Sequence, residues 1–319
     1  SIQDIPEKTL RTRWGYYDDW IYYLWNKIQW WKDDVIKMFP INEKMHQWKQ
    51  VSFMEFLNSV RKVTDDNIAI ASMFMVVGML WMNCLDDVIN ISNIWPAVFI
   101  SWETESGKST LEELMMCCAW HIPSAKYRST SCWRFSSTAK PFKEACTQPE
   151  IMRLLEHTWE LNPIIKEGIR NVINREITER GTQSMKNIQY KYRSWLIISW
   201  EMNSAETSIN NRTLPIYLKR SYQKRHFNKD WTEKLLIQEI KETTCYKDIM
   251  LSWDKYRKES WYILKAYQNA IKIFNKKWID SRLANVLSYA LIWNSIVYSG
   301  LSDDKVADAL IWVYEESGV

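Results

Sequence analysis

Residues 97–114 read AVFISWETESGKSTLEEL: an apolar segment, a short polar loop that ends in Gly-Lys-Ser-Thr, and the start of a helical pattern. This order predicts a strand, a phosphate-binding loop (P-loop) and a helix. In such a loop, backbone N–H groups and the helix N-terminus hold phosphate, a lysine reaches the outer phosphates, and a Ser or Thr hydroxyl holds Mg²⁺. Lys108 and Ser109 stand at those two positions. The remaining residues of the predicted site are Glu103, Thr104, Glu105, Ser106, Gly107 and Thr110.

The first glycine of the expected pattern is missing. The pattern G-x-x-x-x-G-K-[ST] has glycine at the position of Trp102, where the chain turns sharply and passes close to phosphate. An indole crowds that position and adopts a positive φ only at a steric cost. The alternative interpretation is therefore a surface loop that caps a helix through Ser109.

Glycine is scarce in this chain and tryptophan is abundant. An average glycine usage of about 7% predicts roughly 22 glycines at this length, whereas the sequence has 7 glycines and 20 tryptophans. We hypothesise that many Trp positions correspond to Gly in related proteins, as would follow if one codon that means Gly in the source organism had been read as Trp. Trp102, Trp200, Trp20 and Trp25 stand where a turn residue is natural, whereas Trp278 is expected to be an ordinary buried tryptophan.

Charge, cysteines and hydropathy exclude several classes of protein. The net charge of +4 over 319 residues is nearly neutral, so it gives no sign of a strongly basic nucleic-acid-binding protein. The six cysteines form no C-x-x-C pair, so neither a zinc site nor a disulfide framework is indicated. The longest apolar stretch, residues 68–82, is too short to span a membrane and predicts a buried helix. We recognise no signal peptide and expect a cytoplasmic protein.

Three regions differ in their patterns. Residues 1–63 contain short aromatic segments typical of strands and predict a small N-terminal module. Residues 64–220 predict an α/β core, and residues 221–319 a helical C-terminal domain. In the core, four apolar runs are expected to form a parallel sheet with helices on both faces, namely residues 97–100, 151–155, 196–199 and 214–218.

An ATP-hydrolysing site also needs an acidic residue that polarises water and helps to hold Mg²⁺. Glu156, directly after residues 151–155, is the preferred candidate for both roles. Glu167, at the end of a possible strand over residues 163–167, is the alternative, and Glu144 and Glu160 are further candidates. Any of these side chains could instead be a solvated surface glutamate.

Two further roles have two candidates each. Glu201 and Asn203 follow the apolar run that ends at residue 199, where a polar group could sense the γ-phosphate. Arg212 precedes the last strand and Arg180 lies within residues 177–183. An arginine in either place could stabilise a transferring phosphoryl group, in its own chain or in a neighbouring subunit, or could form a surface salt bridge.

In this order, the segments resemble the ATPase domains of phage and plasmid replication proteins, which are helicase-like P-loop proteins often joined to a primase or a small N-terminal module. The resemblance covers residues 65–220, and GKST is its most specific element. It implies a RecA/AAA-like P-loop NTPase fold, ATP and Mg²⁺ as cofactors, DNA as the partner, a homo-oligomeric ring, and ATP hydrolysis that drives DNA replication. Trp102, Leu155 and Trp200 depart from the family's pattern.

Two other functions are weighed against this one. The first is a nucleotide-binding scaffold without efficient turnover, which would suit the incomplete loop pattern. The second is an all-α enzyme similar to class I terpene synthases, because Asp86 and Asp87 form an aspartate-rich pair of the kind that binds Mg²⁺ and diphosphate. Residues 248–252 supply only Asp248 of the second metal motif, and the Asp86–Asp87 pair is equally typical of a helix end.

Overall fold

The computed structural model describes residues 7–10, 14–17, 20–23, 35–38, 49–89, 97–119, 132–134, 146, 151–155, 163–174, 176–181, 187–192, 194–199, 212–224, 231–256, 260–297 and 300–318. Its elements, in chain order, are β1 (Glu7–Leu10), β2 (Trp14–Tyr17), β3 (Trp20–Tyr23), β4 (Val35–Met38), β5 (Lys49–Gln50), α1 (Phe53–Val60), α2 (Asp66–Ile89), β6 (Ala97–Trp102), α3 (Lys108–Cys118), β7 (Cys132–Arg134), β8 (Ile151–Leu155), α4 (Pro163–Ile173), β9 (Ile177–Gly181), β10 (Asn187–Lys191), β11 (Trp195–Ser199), β12 (Thr213–Leu218), a 3-10 helix (Arg220–Tyr222), α5 (Trp231–Lys241), β13 (Thr243–Thr244), α6 (Tyr246–Tyr256), α7 (Ser260–Lys276), α8 (Ser281–Val297) and α9 (Asp303–Glu316).

A five-stranded parallel sheet lies at the centre of the chain. Its strand order is β12-β6-β11-β8-β7. All four apolar runs that were expected to form strands lie in this sheet, because a parallel sheet covered by helices buries both faces of each strand. The predicted α/β fold with a parallel sheet is therefore confirmed. Helices α2 and α3 contact β6, whereas α8 and α9 contact β12.

Helix α2 is the most deeply buried helix. Its residues 68–81 are almost completely enclosed, which confirms the prediction of a buried helix over residues 68–82. At Gly78 the helix comes so close to α8 that a Cβ atom would lie 2.9 Å from the Tyr289 carbonyl carbon. None of the helices in the described ranges combines the length and the apolar content that crossing a membrane requires.

One hydrophobic core runs through the chain from α1 to α9. Phe53 of α1 packs edge-on against Phe74 of α2 and Trp293 of α8, with ring centroids 5.0 Å and 4.7 Å apart. This core crosses both of the predicted domain boundaries, at residues 63/64 and 220/221. The division into three domains stays a prediction.

Two expectations are wrong. Residues 163–167 begin helix α4 and do not form a strand, so the alternative that placed Glu167 at a strand end fails. Pro163 is the first residue of that helix, a position that needs no N–H group and suits the fixed φ of proline. The all-α enzyme fails as well, because the core is a five-stranded sheet. Asp86 and Asp87 lie near the end of α2, as the helix-end interpretation expects.

Two smaller sheets were not predicted. Strands β9 and β10 form an antiparallel hairpin, in which Arg180 is opposite Ile188. Strand β13 pairs in parallel with β5 and so ties the start of the α-helical region to residues 49–50. Short strands were expected near the N-terminus, and β2 and β3 form a hairpin there.

Candidate nucleotide site

The loop between β6 and α3 is the centre of the candidate site. Gly107 is the N-cap residue of α3, with a left-handed φ of 83°, and it provides no side-chain cap. By contrast, Ser52 and Ser302 cap α1 and α9 with their hydroxyl groups. Because Gly107 is the cap and Ser109 is the second residue of α3, the alternative in which Ser109 caps the helix is wrong. The backbone N–H groups at the start of α3 are the kind of donors that bind an anion.

The sheet topology places this loop where α/β proteins bind ligands. The loop leaves the carboxyl end of β6, which lies between β11 and β12. The chain reaches β7 and β8 on one side of β6 and ends with β12 on the other side, so β6 lies at the point where the strand order reverses. Ligands of open α/β sheets bind outside the carboxyl ends of the strands at such a point.

Trp102 contacts the lysine that is predicted to bind phosphate. The Lys108 Nζ atom lies 3.2 Å from the centroid of the Trp102 ring, a close cation–π contact. The indole is half-buried and also packs against the hydrophobic core. In this arrangement the ammonium group of Lys108 faces an aromatic ring at the base of the loop.

A small cleft that opens to solvent adjoins the loop, and its cavity of about 20 Å³ has room for about one water molecule. Ser106 lies in its wall and is 5% exposed, and its hydroxyl has no hydrogen-bond partner among the described residues. The cleft is mainly apolar on the side of α3 and β12. Its other lining residues are Val63, Thr64, Gly107, Thr110, Leu111, Leu114, Leu218 and Gln223.

Some of the other predicted site residues lie at the loop, and others lie outside the described residues. Glu103, Thr104, Glu105 and Ser109 are exposed on the loop and the first turn of α3, and Thr110 is half-buried. Strands β8 and β11 end at the same edge of the sheet as β6, since Leu155 pairs with Ser199 and Ser199 pairs with Ile100. Three predicted residues, Glu156, Glu201 and Asn203, lie outside the described residues.

Neither candidate arginine is placed at the loop by the described structure. Arg212 directly precedes Thr213, which pairs with Ala97 at the first residue of β6. The loop follows the carboxyl end of β6, whereas Arg212 lies beside its amino end. The length of the strand, roughly 17 Å, therefore separates Arg212 from the loop. For Arg180 the structure gives the position in β9 and not the side chain. The structure therefore does not bring Arg212 to the loop of its own chain.

Sequence reasoning missed two residues that contact the loop. Arg220 and Gln223 follow β12 and hydrogen-bond to the carbonyl oxygens of Thr104 and Glu105. The available signal was their position just after the predicted strand 214–218. That signal becomes useful only when β12 is known to lie beside β6.

A charged cluster lies next to this segment. Lys224 and Arg61 both donate to the Asp66 carboxylate, at 2.5 Å and 2.7 Å. The hydrogen bond from Arg61, followed by the one from Lys224, lowers the pKa of Asp66 to about 2. Asp66 is therefore ionised at neutral pH, and the ion pairs tie the start of α2 to the end of the 3-10 segment.

Trp278 is not the buried residue that was expected. Its side chain is 94% exposed, and its φ of 60° is left-handed. The Trp278 N–H donates to the Asn275 carbonyl, and the Ile279 N–H donates to the Phe274 carbonyl. These two bonds form a Schellman motif at the end of α7, and Trp278 occupies the position that is usually glycine. The Trp-for-Gly hypothesis thus gains a position where backbone geometry favours glycine.

Comparison with known proteins identifies the fold but no family. The sequence matches no protein-family model and no curated protein. The structure is similar to that of the active helicase Cch of SCCmec type IV, with a TM-score of 0.60 and 12% identity over 89% of this chain and 54% of that one. The chain thus spans about half the length of that helicase chain.

Two structures of the C-terminal region of NrS-1, both described as the apo A form, also match. Their TM-scores are 0.37 and 0.34, with 10% and 12% identity over 96% and 88% of this chain and 78% and 76% of those chains. At these TM-scores the two matches add nothing to the assignment. The similarity to Cch shows that this chain shares the α/β fold of part of that structure.

Proposed function

We propose that residues 103–110 bind the phosphates of ATP together with Mg²⁺, and that the chain is an ATP-driven, helicase-like motor that acts on DNA as a homo-oligomeric ring. One observation carries the proposal. Lys108 is the first residue of a helix that has a left-handed glycine as its cap, at the carboxyl end of the central strand. The similarity of the fold to a helicase supports the assignment of a motor function.

Most of the residues present suit Mg²⁺–ATP. Ser109 offers an exposed hydroxyl on the first turn of α3, and Mg²⁺ prefers oxygen ligands. The buried Ser106 hydroxyl, which has no hydrogen-bond partner among the described residues, would offer a polar contact to a bound nucleotide. Glu156 would be the second residue that holds Mg²⁺ and would orient the attacking water. When bound, Mg²⁺ would supply charge neutralisation at the phosphates.

Trp102 suits the second candidate function better. Its ring contacts the ammonium group of Lys108, the residue predicted to reach the outer phosphates. A chain in this state could bind nucleotide weakly and release no phosphate. A scaffold without turnover is therefore the alternative, and it would show ATP binding without DNA-stimulated phosphate release.

The first prediction concerns Lys108→Ala. Millimolar ATP with Mg²⁺ should raise the thermal unfolding midpoint of the parent chain, because a ligand that binds only the native state adds RT ln(1 + [L]/Kd) to its stability. Lys108→Ala should abolish this increase, since it removes the charge opposite the outer phosphates and leaves the helix intact. Thermal scans with ATP, with ATP and EDTA, and without ligand measure the effect.

A matched control comes from another lysine. Lys277→Ala removes the surface ion pair with Asp308 and should leave the ATP-dependent increase unchanged. An equal increase in the parent and in Lys108→Ala would show that the loop does not bind ATP. DNA-stimulated phosphate release, measured in parallel, distinguishes the motor from the scaffold.

A further inference from the structure

Arg220 and Gln223, in the segment that follows β12, hydrogen-bond to the loop between β6 and α3. Arg220 donates from Nε to the Thr104 carbonyl oxygen at 2.6 Å, and its guanidinium pairs with the Glu105 carboxylate at 3.3 Å. The Arg220 backbone N–H donates to Glu103 Oε2 at 2.9 Å. Gln223 donates from Nε2 to the Glu105 carbonyl oxygen at 2.7 Å. Two residues therefore fix three consecutive residues of the loop.

The same segment is anchored on the last helix. The Glu316 carboxylate of α9 accepts hydrogen bonds from Lys219 at 2.6 Å and from the Tyr222 hydroxyl at 2.5 Å. The Tyr222 ring packs edge-on against Trp312, with centroids 5.4 Å apart. The hydrogen bond to Glu316 raises the pKa of Lys219, and the bond from Lys219 lowers the pKa of Glu316, so both groups are charged at neutral pH.

The conformation and the exposure of residues 103–105 explain why contacts from outside the loop matter. Glu105 has a left-handed φ of 64°, which a residue with a side chain rarely adopts. Residues 103–105 are exposed, so water competes for their backbone groups. Exposed ion pairs such as Arg220–Glu105 add little to folding stability. The contacts from Arg220 and Gln223 therefore matter chiefly for the shape of the loop.

We propose that Arg220 and Gln223 are positioning residues, which hold the backbone of the phosphate loop in the shape that receives a nucleotide, and that Glu316 holds their segment in place. This inference rests on the proposed function, because it assigns phosphate binding to the same loop. The shape of the loop can nevertheless be measured without any nucleotide.

Hydrogen exchange of the full chain without nucleotide tests the support of the loop. The Glu103 N–H donates to Leu218 and the Ser106 N–H donates to Glu103, so both amides are protected in the intact loop. Arg220→Ala and Gln223→Ala should each raise the exchange rates of these amides several-fold, and the double variant should raise them further. Lys277→Ala, which breaks a surface pair elsewhere, should leave them unchanged.

ATP affinity in the presence of Mg²⁺ tests the function of that support. Arg220→Ala should weaken ATP binding about tenfold and leave the unfolding midpoint without ATP close to that of the parent. Arg220→Lys keeps the charge and loses the planar fork that reaches Thr104 and Glu105, so it should weaken binding as much as alanine does. Full affinity in Arg220→Lys would mean that the residue acts as a charge, which overturns the positioning role.

The two proposals fail in different ways. A parent chain that binds no ATP overturns the proposed function and the positioning role with it. A parent chain that binds ATP, together with unchanged loop exchange in the Arg220→Ala/Gln223→Ala double variant, overturns the positioning role alone.

Discussion

Single tryptophans fall into two groups in this molecule. Trp81 and Trp293 are buried, and their indole N–H groups donate to Ile249 and Ser252. Such partners are typical of a tryptophan that belongs to its core. Trp102 contacts the lysine of a glycine-dependent loop, and Trp278 occupies a left-handed helix end. Under the Trp-for-Gly hypothesis the two groups have different codons, and one codon at all four positions in the coding DNA would refute it.

Trp278→Gly should stabilise the protein. Glycine adopts the left-handed conformation at a helix end without the steric cost that a side chain brings, which corresponds to about 1 kcal/mol. For a chain of this size we expect an increase of roughly 2 °C in the thermal midpoint. Trp312→Gly, in the interior of α9, is the matched control and should lower the midpoint. A lower midpoint for Trp278→Gly would show that the indole stabilises this helix end.

Trp102→Gly should strengthen ATP binding. The change releases Lys108 from a cation–π contact of about 1 kcal/mol, which corresponds to roughly fivefold in affinity, and removes indole volume from the loop. Isothermal titration with Mg²⁺–ATP measures the effect. Trp102→Phe keeps an aromatic ring beside the lysine and should show no gain. A folded Trp102→Gly variant with unchanged or weaker binding would mean that Trp102 is native to the site.

The strands and the helices show what sequence patterns can and cannot predict. Apolar runs predicted β6, β8, β11 and β12, because burial on both faces leaves a direct mark on composition. Composition does not show which strands are neighbours in the sheet. The proximity of Arg220 and Gln223 to the loop therefore could not be predicted. Helix α4 was open to a strand interpretation because a short apolar run fits both periods.

Gly78→Ala should destabilise the packing of α2 on α8. The added methyl group would lie 2.9 Å from the Tyr289 carbonyl carbon and 3.0 Å from the Ala290 nitrogen, and both are backbone atoms. Such overpacking costs about 1–3 kcal/mol, more than the gain of up to about 1 kcal/mol in helix propensity. Urea unfolding should therefore give a loss of about 1–2 kcal/mol. Ser72→Ala, where the hydroxyl bonds only within its own helix, is the control.

The role of Arg212 can be tested through the homo-oligomeric ring that we propose. Arg212 lies at the amino end of β12, and the loop lies at the carboxyl ends of the strands. We therefore expect Arg212 to act on the site of a neighbouring subunit. In a Trp102→Gly background, Arg212→Ala should lower turnover far more than ATP affinity, which is typical of a contact made in the transition state. Steady-state phosphate release and ATP titration measure the two quantities.

Mixing two inactive variants distinguishes action between subunits. Arg212→Ala and Glu156→Gln chains should recover hydrolysis when they are combined, because a mixed assembly contains sites with both residues intact. Turnover in Arg212→Ala equal to that of its parent would remove the residue from the site.

The burial of α2 has a consequence for how the chain is made. This apolar helix ends at Ile89, whereas the helices that cover it, α8 and α9, begin only at Ser281 and Asp303. At about 5–20 residues per second, a ribosome needs roughly 10–40 s to reach α8 after α2 has been synthesised. During that time α2 lacks the two helices that later pack against it. We therefore expect synthesis to depend on chaperones that shield nascent chains, and yields of soluble protein to improve when translation is accompanied by them.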